Sequence, residues 1–415
     1  MGGYAKMKSL FLIIPFFCFF TASANTIRVG AQRQYKNITT ALSAAQAGDT
    51  ILVENGIYKE KNIIIRKSII LKGIDHPVLD GEKKYEIISV MADGVVVDGF
   101  RIMHSGISSL EDLAGIKIYD RRNVAIINNI LDDTFFGIYI QYGTNCRIEN
   151  NRLTASATEE QQSGNGIHCW KSDSLRIIGN QITGHRDGIY FEFVKNSVIW
   201  RNIATKNLRY GLHFMFSNDD MYVANVFSNN GSGVSVMFSN HIKMYSNYFE
   251  ENWGDASHGI LLKEISDGYM EGNRFSKNTS AIFMEGANRI YMKHNLFENN
   301  GWALKIQASC SDVVLEQNNF IGNTFDVGTN GSLVLNKFNN NYWDKYEGYD
   351  INKDKMGDIP YRPVSMYSMI VEKYPPAMIL FRSFITSLLD KTEKILPSLT
   401  PENLKDNAPL MKKAF

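Results

Sequence analysis

The chain of 415 residues lacks two features that would point to common classes of protein. It has no excess of charge, because 44 Lys and Arg residues stand against 43 Asp and Glu residues. Nucleic-acid-binding proteins usually carry a basic excess, so this class is not favoured. Cysteine is also scarce. Only Cys146, Cys169 and Cys310 follow the N-terminal segment, and their odd number and irregular spacing exclude a disulfide framework.

Long apolar runs are scarce as well, and the clearest one lies at the N-terminus. Residues 1–24 read MGGYAKMKSLFLIIPFFCFFTASA, with a short basic start, an apolar run from Leu10 to Phe20, and small residues at the end. This order is typical of a secretory signal peptide cleaved after Ala24. The alternative is a membrane anchor, but the run is short for a membrane span. We therefore predict an exported protein.

What the sequence has in abundance is a repeat of 22 or 23 residues, lengthened to 29 before Gly166 and to 26 before Gly259. The repeats begin with lines such as GIYFEF, GLHFMF and GVSVMF, which start at Gly115, Gly137, Gly166, Gly188, Gly211, Gly233, Gly259, Ala281 and Ala303. Fourteen residues after most starts stands an asparagine, the series being Asn129, Asn151, Asn180, Asn202, Asn225, Asn247, Asn273 and Asn295, with Asn318 one place late. Five successive repeats also share a phenylalanine, at Phe227, Phe249, Phe275, Phe297 and Phe320. Self-similarity at a fixed period indicates a solenoid.

Apolar residues alternate within each line, which indicates short strands with one buried face. We therefore predict an all-β, right-handed parallel β-helix of ~22-residue coils. Asparagine would suit the sharp corners because it tolerates left-handed backbone, and stacked amides can bond from coil to coil. We expect a β-helix with an N-terminal helical cap over residues 25–342, an irregular C-terminal cap over 343–374 and an amphipathic docking tail over 375–415.

The alternation also predicts which side chains face outward. If the first and third residues after each glycine point inward, the second and fourth point out. This places soft donors on one outer face, and the candidate metal ligands are His168, Glu192, His213, Met215 and Met237. Thioethers together with imidazoles suit copper, especially Cu(I). The alternative is an apolar patch for a protein partner, since methionine adapts well at binding surfaces.

Three other features have simpler interpretations. Met244, Met270 and Met292 fall in an inward column, as does Cys169, so we expect them in the core. The stretch Asp350–Asp358 resembles the start of a calcium loop, but Tyr361 stands where the final glutamate belongs, which favours a solvated turn. A polysaccharide-processing lyase or epimerase would need several carboxylates on one face, and the predicted outer face offers Glu192 alone.

The C-terminal part contains an apolar segment after Pro375-Pro376. It is too short to span a bilayer but suits docking to a membrane partner. Its candidate contact residues are Met378, Ile379, Phe381, Phe384 and Leu388. The alternative is a helix packed back onto the solenoid.

Three stretches together resemble the NosD family, the periplasmic maturation proteins of nitrous oxide reductase. They are the GLHFMFSNDD coil with its neighbours, NYWDKYEGYDINKDKMGDIPYRP, and the tail PPAMILFRSFITSLLDKTEKILPSLTPENL. The resemblance implies a non-enzymatic, periplasmic partner of an ABC transporter with the permease NosY and the ATPase NosF. It also implies transient handling of copper, with the chaperone NosL as donor and the copper–sulfide centre of the reductase as destination. The tail would contact the permease, so the protein would associate with the membrane through that partner.

Overall fold

The structure is a computed structural model that describes residues 24–108, 110–331, 335–395 and 404–415. The predicted signal peptide lies outside these residues except for Ala24. The described chain forms a parallel β-helix of three sheets, as the repeat predicts, and neighbouring strands are parallel in all three. Each complete coil contributes one strand to each sheet.

Sheet A has 14 strands in the described residues: Thr26–Val29, Thr50–Val53, Ile70–Gly73, Val96–Asp98, Ala125–Ile127, Arg147–Glu149, Arg176–Ile178, Val198–Trp200, Met221–Val223, Lys243–Tyr245, Ser266–Glu271, Asn288–Lys293, Ser311–Glu316 and Lys337–Asn339. Sheet B has 13 in the same part of the chain: Ile57–Tyr58, Val78–Asp80, Arg101–Met103, Ile130–Asp132, Arg152–Thr154, Gln181–Thr183, Ile203–Thr205, Val226–Ser228, Tyr248–Glu250, Arg274–Ser276, Leu296–Glu298, Asn319–Ile321 and Tyr342–Trp343. Sheet C has 12 over those ranges: Ile63–Ile65, Ile88–Val90, Ala114–Tyr119, Phe136–Gln141, Ile167–Trp170, Asp187–Glu192, Tyr210–Met215, Ser232–Met237, His258–Lys263, Ser280–Glu285, Trp302–Ile306 and Phe325–Gly328.

The predicted asparagine column forms a continuous ladder inside the corner between sheets A and B. Asn225 is typical. Its side-chain oxygen accepts hydrogen bonds from the backbone and side-chain amides of Asn202, and its own amide group donates to Ile199 and Asn247. Each member therefore satisfies buried backbone groups of its neighbours. The ladder ends on the carboxylate of Asp406, which accepts from Asn341.

One part of our explanation for the asparagines is wrong. The left-handed backbone lies at the residue before each ladder position, for example at Asn128, Arg201 and Ala224, with φ of 55°, 55° and 52°. The ladder asparagines are therefore required for their hydrogen bonds, and the strained corner belongs to their neighbours.

The aromatic column is a second interior ladder, as predicted. Ring centroids along Phe227, Phe249, Phe275, Phe297 and Phe320 are 4.5 to 5.6 Å apart, and Trp343 continues the stack at 4.0 Å. The predicted core methionines and Cys169 are buried, as are Cys146 and Cys310.

Sequence reasoning missed a second asparagine ladder, which lies in the turn that precedes sheet C. It consists of Asn207, Asn230, Asn252, Asn278, Asn300 and Asn323. The first five members stand 19 residues after the line starts from Gly188 to Ala281, and Asn323 stands 20 after Ala303, so a comparison at this offset would have found the column.

Both ends of the solenoid are covered. Helix α1 (Ile38–Ala44) packs Ile38 and Ala41 into the N-terminal end, and the carboxylate of Glu60 accepts from the first backbone amides of the helix. A strand, Thr26–Val29, precedes this helix in the chain. At the other end, Leu404 and Asp406 are buried against the last coil, although they belong to the predicted docking tail.

Two further helices, α2 (Met366–Lys373) and α3 (Phe384–Ile395), flank a 3-10 turn at Pro375–Leu380. Tyr367 and Val371 of α2 pack on Trp302 and Phe325 of sheet C. None of the helices in the described part of the chain is long and apolar enough to cross a bilayer.

Candidate metal centre on the outer face of sheet C

The strand register places the predicted ligands in two columns of sheet C. One column pairs Tyr139, His168, Tyr190, His213 and Ser235 in successive strands. The other pairs Trp170, Glu192, Met215, Met237 and Lys263. Both agree with the predicted register.

Glycine at the start of each line has a steric reason. A Cβ at Gly211 would lie 2.9 Å from the ring of Phe227 and 2.8 Å from the carbonyl oxygen of Gly233. The glycine and the residue after it therefore both face the interior. As a result, the residue before the glycine faces outward again and adds a third outer column, which sequence reasoning missed.

The most compact group of predicted ligands consists of Met215, Met237 and His213. Met215 and Met237 are direct partners in adjacent strands, so their backbones lie about 4.8 Å apart. Both methionines are partly exposed. The Tyr190 hydroxyl donates to the Met215 sulfur at 3.5 Å, and Glu192 pairs with Met215 from the other side.

His213 points outward but is not open to solvent, contrary to our expectation. Only 4% of the residue is exposed. The rings of Tyr190 and Tyr210 lie 4.9 and 4.8 Å from its own, and Arg209 donates a hydrogen bond to Nδ1 at 3.2 Å. The aromatic neighbours on the outer face cover it, and strand alternation alone does not predict this.

His168 lies two strands from His213, or about 10 Å, so the structure does not bring it to the methionine pair. The oxygen of the Asn165 side chain accepts from Arg186, so its amide nitrogen faces His168 Nδ1, at 2.9 Å. Burial, aided by Arg186 and Lys117, lowers the pKa of His168 to about 3, and the ring is neutral. Its place is in a ring ladder, 4.4 Å from Tyr139 and 4.8 Å from Tyr190.

The third outer column contains Asp187, which is completely buried. Its carboxylate lies 3.4 Å from Arg209 Nε, 3.9 Å from Arg186 Nε and 3.7 Å from His213 Nδ1. The outer face therefore holds a second carboxylate beside Glu192. The position before the starting glycine of each line could have revealed this column in the sequence. Asp187 holds that position in its coil, and Asn165 and Tyr210 hold it in the neighbouring coils.

An exposed aromatic ladder borders the two methionines. Phe193, Phe216 and Phe238 stack with centroids 5.1 Å apart, and they are 38 to 45% exposed. All three have left-handed backbone, with φ between 51° and 54°. Bulky side chains rarely occupy this region, so these residues combine strained backbone with apolar exposure.

The donor set limits the metals that this face could hold. The described residues contain no group of three His, Cys, Asp or Glu side chains arranged to hold a metal ion. A site at Met215 and Met237 would therefore depend on thioether sulfur, which suits Cu(I).

The stretch that resembles the start of a calcium loop lies elsewhere, in the C-terminal part. The carboxylates of Asp350, Asp354 and Asp358 accept hydrogen bonds from nearby backbone amides, as in a solvated turn.

Comparison with known proteins shows which proteins this chain is similar to. Residues 154–356 match the family described as "Periplasmic copper-binding protein (NosD)", and residues 20–182 match a right-handed β-helix region. Two relatives are named probable ABC transporter binding protein NosD. The Pseudomonas aeruginosa protein is 26% identical and covers 85% of this chain and 86% of its own length. The Stutzerimonas stutzeri protein is 25% identical, covering 81% and 80%.

The chain is thus similar to NosD proteins over most of its length, and its residues 154–356 match the NosD family model. Solved structures with the same fold include the A-modules of two Azotobacter vinelandii mannuronan C-5 epimerases. AlgE4 has a TM-score of 0.54 over 73% of this chain and 88% of that chain, and AlgE6 has 0.50 over 73% and 87%. Both are 16% identical to this chain, so they inform on the fold alone.

The predicted docking residues lie together beyond α2. Ile379 and Phe384 are 88% and 82% exposed, and Met378, Phe381 and Leu388 are 38 to 53% exposed. Helix α2 holds this segment on the solenoid through Tyr367, Val371 and an ion pair of 2.8 Å between Glu372 and Lys305. The chain thus has both features that we weighed: one helix packs back, and the segment after it exposes apolar side chains.

Proposed function

We propose that this protein is a periplasmic, non-enzymatic accessory factor for nitrous oxide reductase maturation that takes up Cu(I) as cargo at Met215, Met237 and His213. The observation that carries the proposal is the pairing of the two methionines on the outer face, beside a histidine, in a chain whose residues 154–356 match the NosD family model. In this proposal NosL supplies the copper, and the copper–sulfide centre of the reductase receives it. Glu192 lies beside Met215, and His168 supports the ring ladder.

The exposed aromatic ladder supports a protein partner at this face. Phe216 and Phe238 directly follow Met215 and Met237, so a protein that docks on these rings would cover the methionines at the same time. Copper would then pass between two proteins without entering water. The metal and partner interpretations of this surface are therefore compatible.

A Cu(I) titration tests the cargo site. We expect wild type to compete with a chromophoric Cu(I) chelator, and the triple variant His213→Ala/Met215→Ala/Met237→Ala to lose that site. The matched control is His241→Ala/Met356→Ala/Met378→Ala, which removes exposed residues of the same types elsewhere and should bind as wild type. Equal binding by all three proteins would refute the proposal.

We further propose that the apolar segment after α2 docks on the permease NosY, which works with the ATPase NosF. Large apolar side chains that are up to 88% exposed favour a partner. Deleting the whole tail is a poor test because Asp406 caps the asparagine ladder. The variant Ile379→Ser/Phe384→Ser/Leu388→Ser should instead lose co-purification with the permease, while Ile57→Ser/Ile107→Ser/Ile351→Ser, similarly exposed elsewhere, should retain it. Unchanged co-purification of the first variant would exclude this surface.

A polysaccharide-processing activity is the alternative, and Asp187 beside two arginines is the observation that favours it. A general acid or base must reach the substrate, however, and the Asp187 side chain has no exposed surface. We expect no turnover of alginate or pectin in a product-release assay. Turnover that Asp187→Asn abolishes would establish an enzyme instead.

A further inference from the structure

Beside His213 lie several buried polar atoms that have no hydrogen-bond partner among the described residues. They include both carboxylate oxygens of Asp187, Nε of Arg209 and Nε2 of His213. The Asp187 oxygens lie at ion-pair distance from Arg186 and Arg209 but accept no hydrogen bond. Buried polar groups nearly always make hydrogen bonds, because an unsatisfied one destabilises the fold. This concentration on the outer face therefore needs an explanation.

The observed contacts determine which nitrogen of His213 carries the proton. Arg209 donates to Nδ1 at 3.2 Å, and a guanidinium group can only donate. Nδ1 therefore accepts, and in the neutral ring the proton lies on Nε2. In this arrangement neither nitrogen offers a free lone pair to a metal ion.

A small exchange of partners would reverse this. Asp187 lies 3.7 Å from His213 Nδ1 and 3.4 Å from Arg209 Nε. If Arg209 moved from the ring onto Asp187, Nδ1–H could donate to the same carboxylate. Nε2 would then present its lone pair, and the orphaned oxygens and Arg209 Nε would become partners of one another. A carboxylate that accepts from the second ring nitrogen is the usual support of a metal-bound histidine.

We propose that Asp187 and Arg209 are positioning residues that open and close His213 to copper. In the closed arrangement, which the structure shows, Arg209 donates a hydrogen bond to Nδ1 of His213. In the open arrangement Asp187 accepts from Nδ1–H, and Arg209 leaves the ring but keeps its ion pair with Asp187. The exchange moves the ring proton without a net change: one proton leaves Nε2 for water and one returns from water to Nδ1. This inference rests on the proposed function, because it concerns the same cargo site.

Affinity measurements on the full chain test whether Asp187 and Arg209 act on the copper site. We expect Asp187→Asn to weaken Cu(I) binding at the site by about 10-fold or more, because it removes the support of the open ring. Arg209→Leu should strengthen binding, because it removes the competing donor. Loss of a charge alone would give the same two signs, because Cu(I) is a cation, so the ring tautomer decides between this device and a static ion pair. His213→Ala serves as the reference for loss of the ligand, and thermal melting confirms that each variant is folded.

The ring tautomer provides a second readout that is independent of affinity. In 15N-histidine NMR spectra, with the His213 signals assigned by their absence from His213→Ala, we expect Nδ1 without a proton in the free protein and with one after Cu(I) is added. Wild-type affinity for Asp187→Asn, with His213→Ala weakened, would overturn this inference and leave the proposed function standing. Weakening by both Asp187→Asn and Arg209→Leu would also overturn it. Absence of any Cu(I) effect at His213 in wild type would overturn both.

Discussion

The interior corner of the solenoid and the outer face of sheet C are built by the same repeat, but they differ in how uniform their residues are and in how completely their polar groups are hydrogen-bonded. In the corner, asparagines from Asn129 to Asn341 bond to one another and to the backbone. In the two columns of candidate ligands on the outer face the residue type usually changes from one coil to the next, and Asp187 and His213 hold buried atoms without hydrogen bonds. Uniformity and satisfied hydrogen bonds indicate a structural role, whereas variation and orphaned atoms on a rigid scaffold are typical of a functional site.

If this contrast is right, the largest loss of stability comes from the interior. Asn225→Ala removes four side-chain hydrogen bonds and leaves the buried backbone amide of Asn202 without its acceptor. We expect the free energy of unfolding to fall by about 4 kcal/mol, measured by urea denaturation. The exposed Asn240→Ala is the control and should change little. Similar values for the two would remove the distinction between ladder and surface.

A buried acid tests the interior from another direction. Burial, reinforced by Asp219 and Asp173, raises the pKa of Asp220 to about 8, while its oxygen accepts from the Ser197 amide. The folded state therefore holds a proton that the unfolded state releases above about pH 4. The contribution of Asp220 to stability is therefore fully present below about pH 4 and is lost as the pH rises towards 8, by about 1.4 kcal/mol per pH unit.

The variant Asp220→Asn keeps the acceptor oxygen and cannot ionise. Thermal melts give the stability of the variant relative to wild type at each pH. We expect this difference to shift in favour of the variant by about 3 kcal/mol between pH 5 and pH 7. A difference that does not change with pH would mean that Asp220 is ionised in the folded protein.

The left-handed corner gives a smaller effect. Ala224 has φ of 52°, and Gly272 occupies the equivalent place two coils later with φ of 66°. We expect Ala224→Gly to stabilise the protein by about 0.5–1 kcal/mol, because glycine adopts this backbone without strain. Gly272→Ala should have the reverse effect in the same denaturation assay. Stabilisation by both changes would contradict the assignment of strain.

The outer methionines should matter least for stability. Met215 and Met237 are partly exposed and contribute no core contact that leucine would lose. Met215→Leu/Met237→Leu should leave the free energy of unfolding within about 0.5 kcal/mol of wild type. A cost of several kcal/mol would place these residues with the structural set.

The repeat predicted the fold and the strand register because its period is nearly constant and because the same residue type recurs at equivalent positions of successive coils. Line starts such as Gly211 and columns such as Phe227–Phe320 determine which side chains lie next to one another. The site was harder to predict. Outward orientation of His213 followed from alternation, but its burial depends on the packing of Tyr190, Tyr210 and Arg209, which no periodic pattern encodes. Asp187 was missed because glycine shifts the alternation by one residue.

X-ray absorption at the copper edge tests the central claim most directly, since it reports the atoms bound to Cu(I). For the protein loaded with one equivalent of Cu(I), we predict sulfur scattering that disappears in Met215→Leu/Met237→Leu while the fold remains intact. A copper environment of nitrogen and oxygen alone, unchanged by that double substitution, would contradict a thioether cargo site on this face.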